Sequence, residues 1–289
     1  MKESTKKKLV PLVFVAPFLI LFVVFMVYPV IYSVVLSFGN IRGGEYTFKG
    51  IANFTTVLND QNFRKSIVNT FIILIIQVPI QTILCVVFAS FLNMQRLKAK
   101  GLYRMFVFMP VLIDAVSYSV VFKLLFSNNA DGIINTAFSV IGLGPFEWFN
   151  VAWLSRIMII IAVTWRWTGY NTVIILGGLQ NISADLYEAA SIDGASKIRQ
   201  FFAITVPGVK PVLTYSVILS INGILQLFAE PNLITKGGPM NGTLTMVQYL
   251  YNTGFKSMNW GVASAGAYVL MVMIAILTLI QMRLTKEDD

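Results

Sequence analysis

Long apolar runs separated by short polar segments dominate the pattern along this chain. A helix crossing a bilayer needs about 20 mostly apolar residues. Six stretches meet that requirement: 9–38, 67–92, 106–126, 154–179, 212–230 and 262–282. The expectation is an all-α, polytopic membrane protein of about six transmembrane helices, with 1–289 forming a single membrane domain. The first run follows Met1–Lys8, whose four lysines imitate the start of a signal peptide. Its apolar length of about thirty residues, and the absence of Ala-x-Ala where cleavage would fall, mark an uncleaved span.

The placement of Lys and Arg sets orientation. With the N-terminus inside, cytoplasmic segments hold Lys2, Lys6, Lys7, Lys8, Arg96, Lys98, Lys100, Arg104, Lys197, Arg199, Lys210, Arg283 and Lys286. External segments hold Arg42, Lys49, Arg64, Lys65, Lys236 and Lys256, so the ratio is 13 to 6 and both termini are expected in the cytoplasm. Segments 39–66, 127–153 and 231–261 are then external, and Trp148, Trp153, Tyr249, Tyr251 and Trp260 sit near span ends, as interfacial aromatics do.

Composition agrees with this picture and removes several chemistries. The 289 residues are 56% hydrophobic and 12% charged, with a mean hydropathy of +0.74. So apolar a chain needs lipid as its solvent. The net charge of +9 is mostly a topology signal, and nucleic acid is not needed to explain it. Without histidine and with Cys85 as the lone cysteine, the sequence excludes a disulfide framework, histidine-based zinc sites and triads. Cys85 itself reads as a small buried hydrophobe. No catalytic constellation and no metal site is visible. No G-x-x-x-x-G-K-[ST] occurs, so energy for any transport must come from a partner or a gradient.

The loop between the fourth and fifth spans, 183–207, is the most informative segment. Ser183 is a candidate N-cap with Asp185 in the first turn, a short helix runs to about Asp193, and Gly194 permits a sharp turn. A second short helix is expected to end near Ala203, with Pro207 marking entry to the next span. Such an elbow is a docking knob, offering Leu186, Tyr187, Ala189, Ala190 and Ile192 as contacts and Glu188, Asp193, Lys197 and Arg199 as charges.

Glu188-Ala189-Ala190, three residues, Gly194, nine residues, then Ile204-x-Val206-Pro207 resembles the EAA motif of binding-protein-dependent ABC importers, with Val206 where the family usually has Leu. The resemblance implies the type I ABC importer permease fold and a role for Glu188, Ala189, Ala190, Asp193 and Gly194 in an ATPase cleft. Tyr28-Pro29 followed by Leu36-Ser37-Phe38 resembles the start of type I carbohydrate permeases, and the external Thr235-Lys-Gly-Gly-Pro-Met-Asn-Gly-Thr243 is similar to the Gly-Gly-Pro loop of one of the two sugar permease types. That type includes the larger maltose permease subunit and the lactose, raffinose and multiple-sugar permeases. For Gly237, Gly238 and Pro239 the resemblance implies contact with an external solute-binding protein; an ordinary surface turn is the other reading.

Polar residues inside spans face protein, water or ligand rather than lipid. The fourth span carries Trp165-Arg-Trp167-Thr-Gly-Tyr170-Asn171, and the fifth carries Ser220, Asn222, Gly223, Gln226 and Glu230. Asn222, Gln226 and Glu230 would form an i, i+4 stripe beside Ser220, Gly223, Ile224 and Leu227. In the resembling maltose permease, sugar contacts come from the helices flanking the EAA loop. The alignment places Trp167, Tyr170, Ser220, Gly223, Ile224 and Leu227 on contact positions, of which Tyr170 and Ser220 keep the relative's chemistry. The candidate substrate set is these six with Asn171, Asn222 and Gln226; bridging between helices is the alternative.

Asp114, Lys123 and Arg156 read as charges that snorkel or pair structurally, and Arg166 with Glu230 as an ion pair or a ligand contact. Gly261 with Ala265, and Ala263 with Ala267, read as small-residue packing in the last span or as contact with a second permease. The resemblance implies a sugar channel working by alternating access in a bacterial cell membrane, surrounded by lipid. Its partners would be a second homologous permease, a cytoplasmic ATPase dimer and an extracellular or periplasmic binding protein. ATP and Mg would belong to the ATPase, with no cofactor in this chain. The rivals are a gradient-driven carrier, which expects internal repeats and a titrating membrane acid, and a membrane-embedded enzyme, for which no nucleophile–base pair is present.

Overall fold

The computed structural model describes residues 14–42, 44–94 and 97–286. The start of the first expected span at Leu9, and Lys2, Lys6, Lys7, Lys8 and Arg96 of the charge pattern, lie outside the described residues. In chain order the elements are α1 (Phe14–Ser37), strands β1 (Gly39–Arg42) and β2 (Glu45–Phe48), α2 (Ala52–Asn59), α3 (Gln61–Asn93), α4 (Lys100–Leu112) and α5 (Ala115–Leu125). They continue with α6 (Ile133–Ser139), α7 (Ala152–Leu179), α8 (Ala184–Ile192), α9 (Lys197–Leu225), α10 (Met246–Tyr251) and α11 (Trp260–Lys286). Five of these helices are long and apolar enough to cross a membrane, and α4 with α5 makes a sixth span if the bent pair is counted as one. Among the described residues the regular structure is helical apart from the antiparallel β1–β2 hairpin, in register from Gly39↔Phe48 to Arg42↔Glu45.

Two of the expected spans differ in form. Stretch 106–126 is broken rather than straight, with 95° between α4 and α5. Pro110 removes one backbone donor near the end of α4. Ile113 and Asp114 are extended, and the Asp114 carboxylate accepts from the backbone N–H of Val116 (2.9 Å) and Ser117 (3.0 Å). Asp114, expected to snorkel or pair, is therefore the N-cap that starts α5.

The fifth span differs at both ends. No break occurs between Ala203 and Pro207, because α9 runs unbroken from Lys197 to Leu225. Pro207 cannot donate to the turn below and its ring would crowd the carbonyl of Ala203. A wide i→i+5 turn over Phe201–Thr205 opens the helix just there and accommodates the ring. At the far end α9 stops at Leu225, short of the expected Glu230. Glu230 instead begins a new wide turn with Pro231–Thr235, so it does not share a helical stripe with Asn222 and Gln226.

The chain divides into two compact units. The first lies within Met1–Asp60 and Leu250–Val272. In it the buried Asn53 amide donates to the carbonyls of Ser37 (3.1 Å) and Gly39 (2.7 Å), closing the backbone where α1 passes into the hairpin. Gly261 leaves room for that same corner, since a Cβ there would strike the Gly39 carbonyl. Ala265 is fully buried, so the Gly261/Ala265 pair packs within this unit. Tyr268 joins the opposing helix through Ser33 Oγ (2.7 Å) and the Val30 carbonyl (2.9 Å).

The second unit lies within Gln61–Tyr249 and Met273–Asp289. Within lipid, helices associate through close packing rather than water exclusion, and α3, α7 and α9 pack accordingly. One cluster joins Cys85, Val86, Ala89 and Leu92 to Ile175, Leu176, Leu179 and Val209, and a second joins Ile73 and Val78 to Ile159, Ile160, Val163, Ile224 and Leu227. Gly169 lets α4 lie directly on α7, because a Cβ at that position would run into the Val107 carbonyl.

A third cluster stacks Tyr118 and Phe122 of α5, and Phe126 just after it, against Trp148, Met158 and Ala162. Trp148 and Tyr249, expected at the membrane interface, are core residues with 5% and 6% exposure. The 127–151 segment builds its own core: Trp148 Nε1 donates to Asn135 Oδ1 (3.0 Å), and its ring meets Phe126 edge-on. Tyr249 packs on Phe63.

Candidate functional site

A cavity of about 390 Å³ opens where α3, α7 and the end of α9 meet. From the candidate set it gathers Trp167, Tyr170, Asn171, Ser220, Gly223, Ile224, Gln226 and Leu227. Trp167 and Tyr170 are one helical turn apart and their rings meet edge-on at 6.0 Å. Both are more than a third exposed, so apolar ring surface faces open space. Gly223 keeps the opposite wall low, for a Cβ there would meet nothing within 4 Å. Asn171 is held by Ser216, whose hydroxyl donates to Asn171 Oδ1 at 2.7 Å and ties α9 to α7. Ser220 Oγ donates to the Ser216 carbonyl (2.9 Å), leaving its oxygen free to accept.

Asn222 is the exception. Its Oδ1 accepts from Thr278 Oγ1 on α11 at 3.5 Å, and it does not line the cavity. A stripe drawn at i, i+4 puts Asn222 with Gln226, but the helix ends between them and their side chains part.

The cavity also takes in residues that the candidate set lacked. Gln77 and Gln81 come from α3, Arg166 from α7, and Glu230 from the turn after α9. Arg166 and Glu230 meet through a third residue: the Tyr118 hydroxyl donates to the Glu230 carboxylate and accepts from Arg166 Nη1 at 3.2 Å. The guanidinium also lies over the rings of Tyr118 (4.9 Å) and Trp167 (5.5 Å). The signal for Gln77 and Gln81 was present in the sequence as two amides one turn apart in an otherwise apolar span. Tyr118 carried no such mark.

The elbow stands apart from the cavity and at the other end of α9. Ser183 caps α8, its Oγ accepting from Asp185 N at 3.2 Å. At the other end Gly194 takes φ +75°, Gly194 N donates to the Ser191 carbonyl (3.2 Å) and Ala195 N to the Ala190 carbonyl (2.8 Å). This paired closure is the reason a glycine stands there. Glu188, Ala189, Asp193 and Gly194 are exposed and Ala190 is half-buried. Ile192 and Ile198 are 86% and 73% exposed, an apolar surface unusual outside a contact. Gln200 fastens the elbow from below: its buried amide donates to Ser191 Oγ (2.9 Å) and the Ala195 carbonyl (3.1 Å). Tyr187 Oη and Thr205 Oγ1 add a link of 3.0 Å. The sequence reading passed over Gln200.

In the loop after α9, Gly237 is buried and Gly238 and Pro239 are half-buried, while Lys236, Met240 and Asn241 face outward. A glycine suits position 237, where φ is +85° and a Cβ would crowd the Gln248 amide at 3.2 Å. Arg156 Nε donates to the Gly242 carbonyl (2.8 Å) and its Nη2 to Asn69 Oδ1 (2.9 Å). Asn69 in turn donates to the carbonyls of Asn241 (2.8 Å) and Leu244 (3.0 Å), and Lys65 to that of Met240 (2.6 Å). The loop is thus pinned from α3 and α7. Among the described residues no group of three or more His, Cys, Asp or Glu is placed to hold a metal ion.

A cavity of rings and hydrogen-bonding groups among spanning helices defines a multi-pass membrane permease. Comparison with known proteins agrees. The model of the family described as binding-protein-dependent transport system inner membrane component matches residues 50–286. The lactose transport system permease protein LacF of Rhizobium radiobacter is 40% identical over 279 residues, covering 95% of this chain and 93% of its own. The arabinooligosaccharides transport system permease protein AraP of Halalkalibacterium halodurans is 35% identical over 287 residues, covering 98% and 90%. A chain from the crystal structure of a bacterial ABC transporter involved in the import of the acidic polysaccharide alginate superposes with a TM-score of 0.85, at 20% identity and over 99% and 98% of the two chains; that likeness concerns the fold. The chain belongs to the family of binding-protein-dependent transport system inner membrane components, with the type I ABC importer permease fold. Its relatives are transport permeases, not enzymes.

Proposed function

We propose that this chain is the channel-forming subunit of an ATP-driven importer of neutral sugars, acting as one translocation domain. The observation that carries the reading is the continuity of α9. Its 29 residues form a rod of about 43 Å with the elbow at one end and Ser220 and Gly223 at the other. A push on the elbow is thereby delivered to the cavity wall. Sugars bind through hydroxyl hydrogen bonds and through their apolar faces against rings, which is what Trp167, Tyr170, Ser220 and Gln226 offer. Arg166 and Glu230 are already joined through Tyr118, which favours an uncharged cargo over an acidic one. The lactose and arabinooligosaccharide permeases among its relatives point the same way.

In this mechanism an ATPase dimer, carrying ATP and Mg, grips the elbow at Glu188, Ala189, Ala190, Asp193 and Gly194. Closure of the ATPases draws the elbow inward, α9 tilts, and the cavity turns outward to receive sugar from an external binding protein. The loop bearing Gly237, Gly238 and Pro239, with Lys236 and Met240 at its surface, is the contact for that protein. Hydrolysis and release reset the cavity. A second, homologous permease completes the channel, and both termini lie on the cytoplasmic side of a bacterial cell membrane.

The test is purification of tagged chain from its native membrane, with and without the Glu188→Ala, Gly194→Pro double change. Proline cannot adopt the φ of +75° at Gly194. The wild type is expected to retain an ATPase and a second permease, and the double variant to lose the ATPase. Wild type emerging without an ATPase would refute the reading.

A further inference from the structure

Gln77 and Gln81 lie one turn apart on α3, are 0% and 2% exposed, and both line the cavity. Gln77 Nε2 donates to Gln81 Oε1, and the bond leaves Gln77 Oε1 and Gln81 Nε2 shielded from water without any partner. Turning both amides over exchanges the roles but not the outcome: one mutual bond between two amides always leaves one carbonyl and one NH2 unused. Buried polar groups are rarely left so, and a pair of them at the wall of a cavity calls for a partner. Neither glutamine reaches α7 or α9 through a hydrogen bond, so helix bridging does not account for them.

We propose that the Gln77–Gln81 pair is a specificity-determining edge of the sugar site, giving one donor and one acceptor to neighbouring hydroxyls of a neutral sugar. This rests on the importer reading above. A hydroxyl both donates and accepts, so two adjacent ring hydroxyls match a carbonyl beside an NH2. The amides carry no charge and hold no preference for an anionic group. They stand on α3, away from the rings of Trp167 and Tyr170 on α7, so a sugar would be held by its face on one helix and by its edge on the other.

The experiment uses the complete importer, with its ATPase, partner permease and binding protein, reconstituted in vesicles. Uptake of radiolabelled lactose, maltose, trehalose and arabinotriose is measured first. For the sugar accumulated by wild type, uptake is then compared with that of its monodeoxy analogues, in wild type and in Gln77→Met/Gln81→Met. Methionine keeps the length of glutamine and removes its hydrogen bonds. Using one binding protein throughout cancels its own preferences. The preference for parent sugar over at least one deoxy analogue is expected to fall about tenfold in the variant, the scale of one hydrogen-bonded hydroxyl. An unchanged preference for every analogue, with or without a general loss of uptake, would overturn the proposal by making the pair structural. If the double variant fails to assemble, Gln81→Asn, which keeps the amide but withdraws it, is read by the same ratio. Wild type that accumulates none of these sugars would refute the importer reading itself, and this proposal with it.

Discussion

The side-chain amide of Gln200 donates to Ser191 Oγ at 2.9 Å, so the first turn of α9 grips the last turn of α8. A second bond to the Ala195 carbonyl closes the loop between them. Gln200→Leu removes both, at about 1–3 kcal/mol, because the partners it leaves are partly buried. The elbow should then move without α9. The expected outcome is an importer that still binds its ATPase but hydrolyses several-fold more ATP per sugar moved, measured in vesicles by the ratio of phosphate released to sugar accumulated. An unchanged ratio would show that the elbow does not need this fastening.

Gly194 bears on attachment rather than transmission. An alanine there meets no neighbour, but its backbone must hold φ +75°. That strain is worth about 1–2 kcal/mol, or roughly 5–30-fold in the population of the folded elbow. Gly194→Ala should weaken ATPase retention by that order, read by co-purification at graded detergent concentrations. Gly194→Asn, which tolerates the left-handed region better, should lose less.

The crossing of α4 on α7 depends on Gly169. Any Cβ there collides with the Val107 carbonyl, and backbone gives way less readily than a side chain. Gly169→Ala is expected to destabilise the second unit by about 1–3 kcal/mol and to lower the thermal unfolding midpoint of the purified protein. Gly223→Ala, on the neighbouring helix and facing open space, should leave that midpoint unchanged.

Tyr118 holds the buried Glu230, which is only 3% exposed at the cavity wall. Tyr118→Phe leaves the carboxylate without that donor, a loss of about 1–3 kcal/mol. Glu230→Gln keeps an acceptor for the Tyr118 hydroxyl and should lose less. If the two residues act as a pair, the double variant will be less unstable than the sum of the singles, and thermal unfolding of the four proteins measures the difference.

How much of this could be read from the sequence differed residue by residue. The Ser183 cap and the turn at Gly194 were legible, because both are local backbone needs that few residue types meet. Hydropathy located the third span but averaged across Pro110 and Asp114, and so hid a right-angle bend. Pro207 was read as a boundary, though one wide turn at Phe201–Thr205 lets a helix pass through it. Within the cavity, Tyr170 and Ser220 were found through polarity and resemblance. Gln77 and Gln81 were lost in the apolar average of α3, and Tyr118 reads as any aromatic until its hydroxyl is seen between Arg166 and Glu230. Trp148 and Tyr249 imitated interfacial residues, because a core built by the 127–151 segment, or by a helix as short as α10, has too little periodicity to announce it.

The most direct test of the central claim is uptake by the reconstituted importer, with binding protein and labelled sugar outside the vesicles and ATP sealed on the ATPase side. Sugar accumulation that requires hydrolysable ATP, and that is abolished by Glu188→Ala, Gly194→Pro without loss of the folded permease, is the predicted result. Accumulation driven by an ion gradient in the absence of ATP, and indifferent to the elbow, would contradict it.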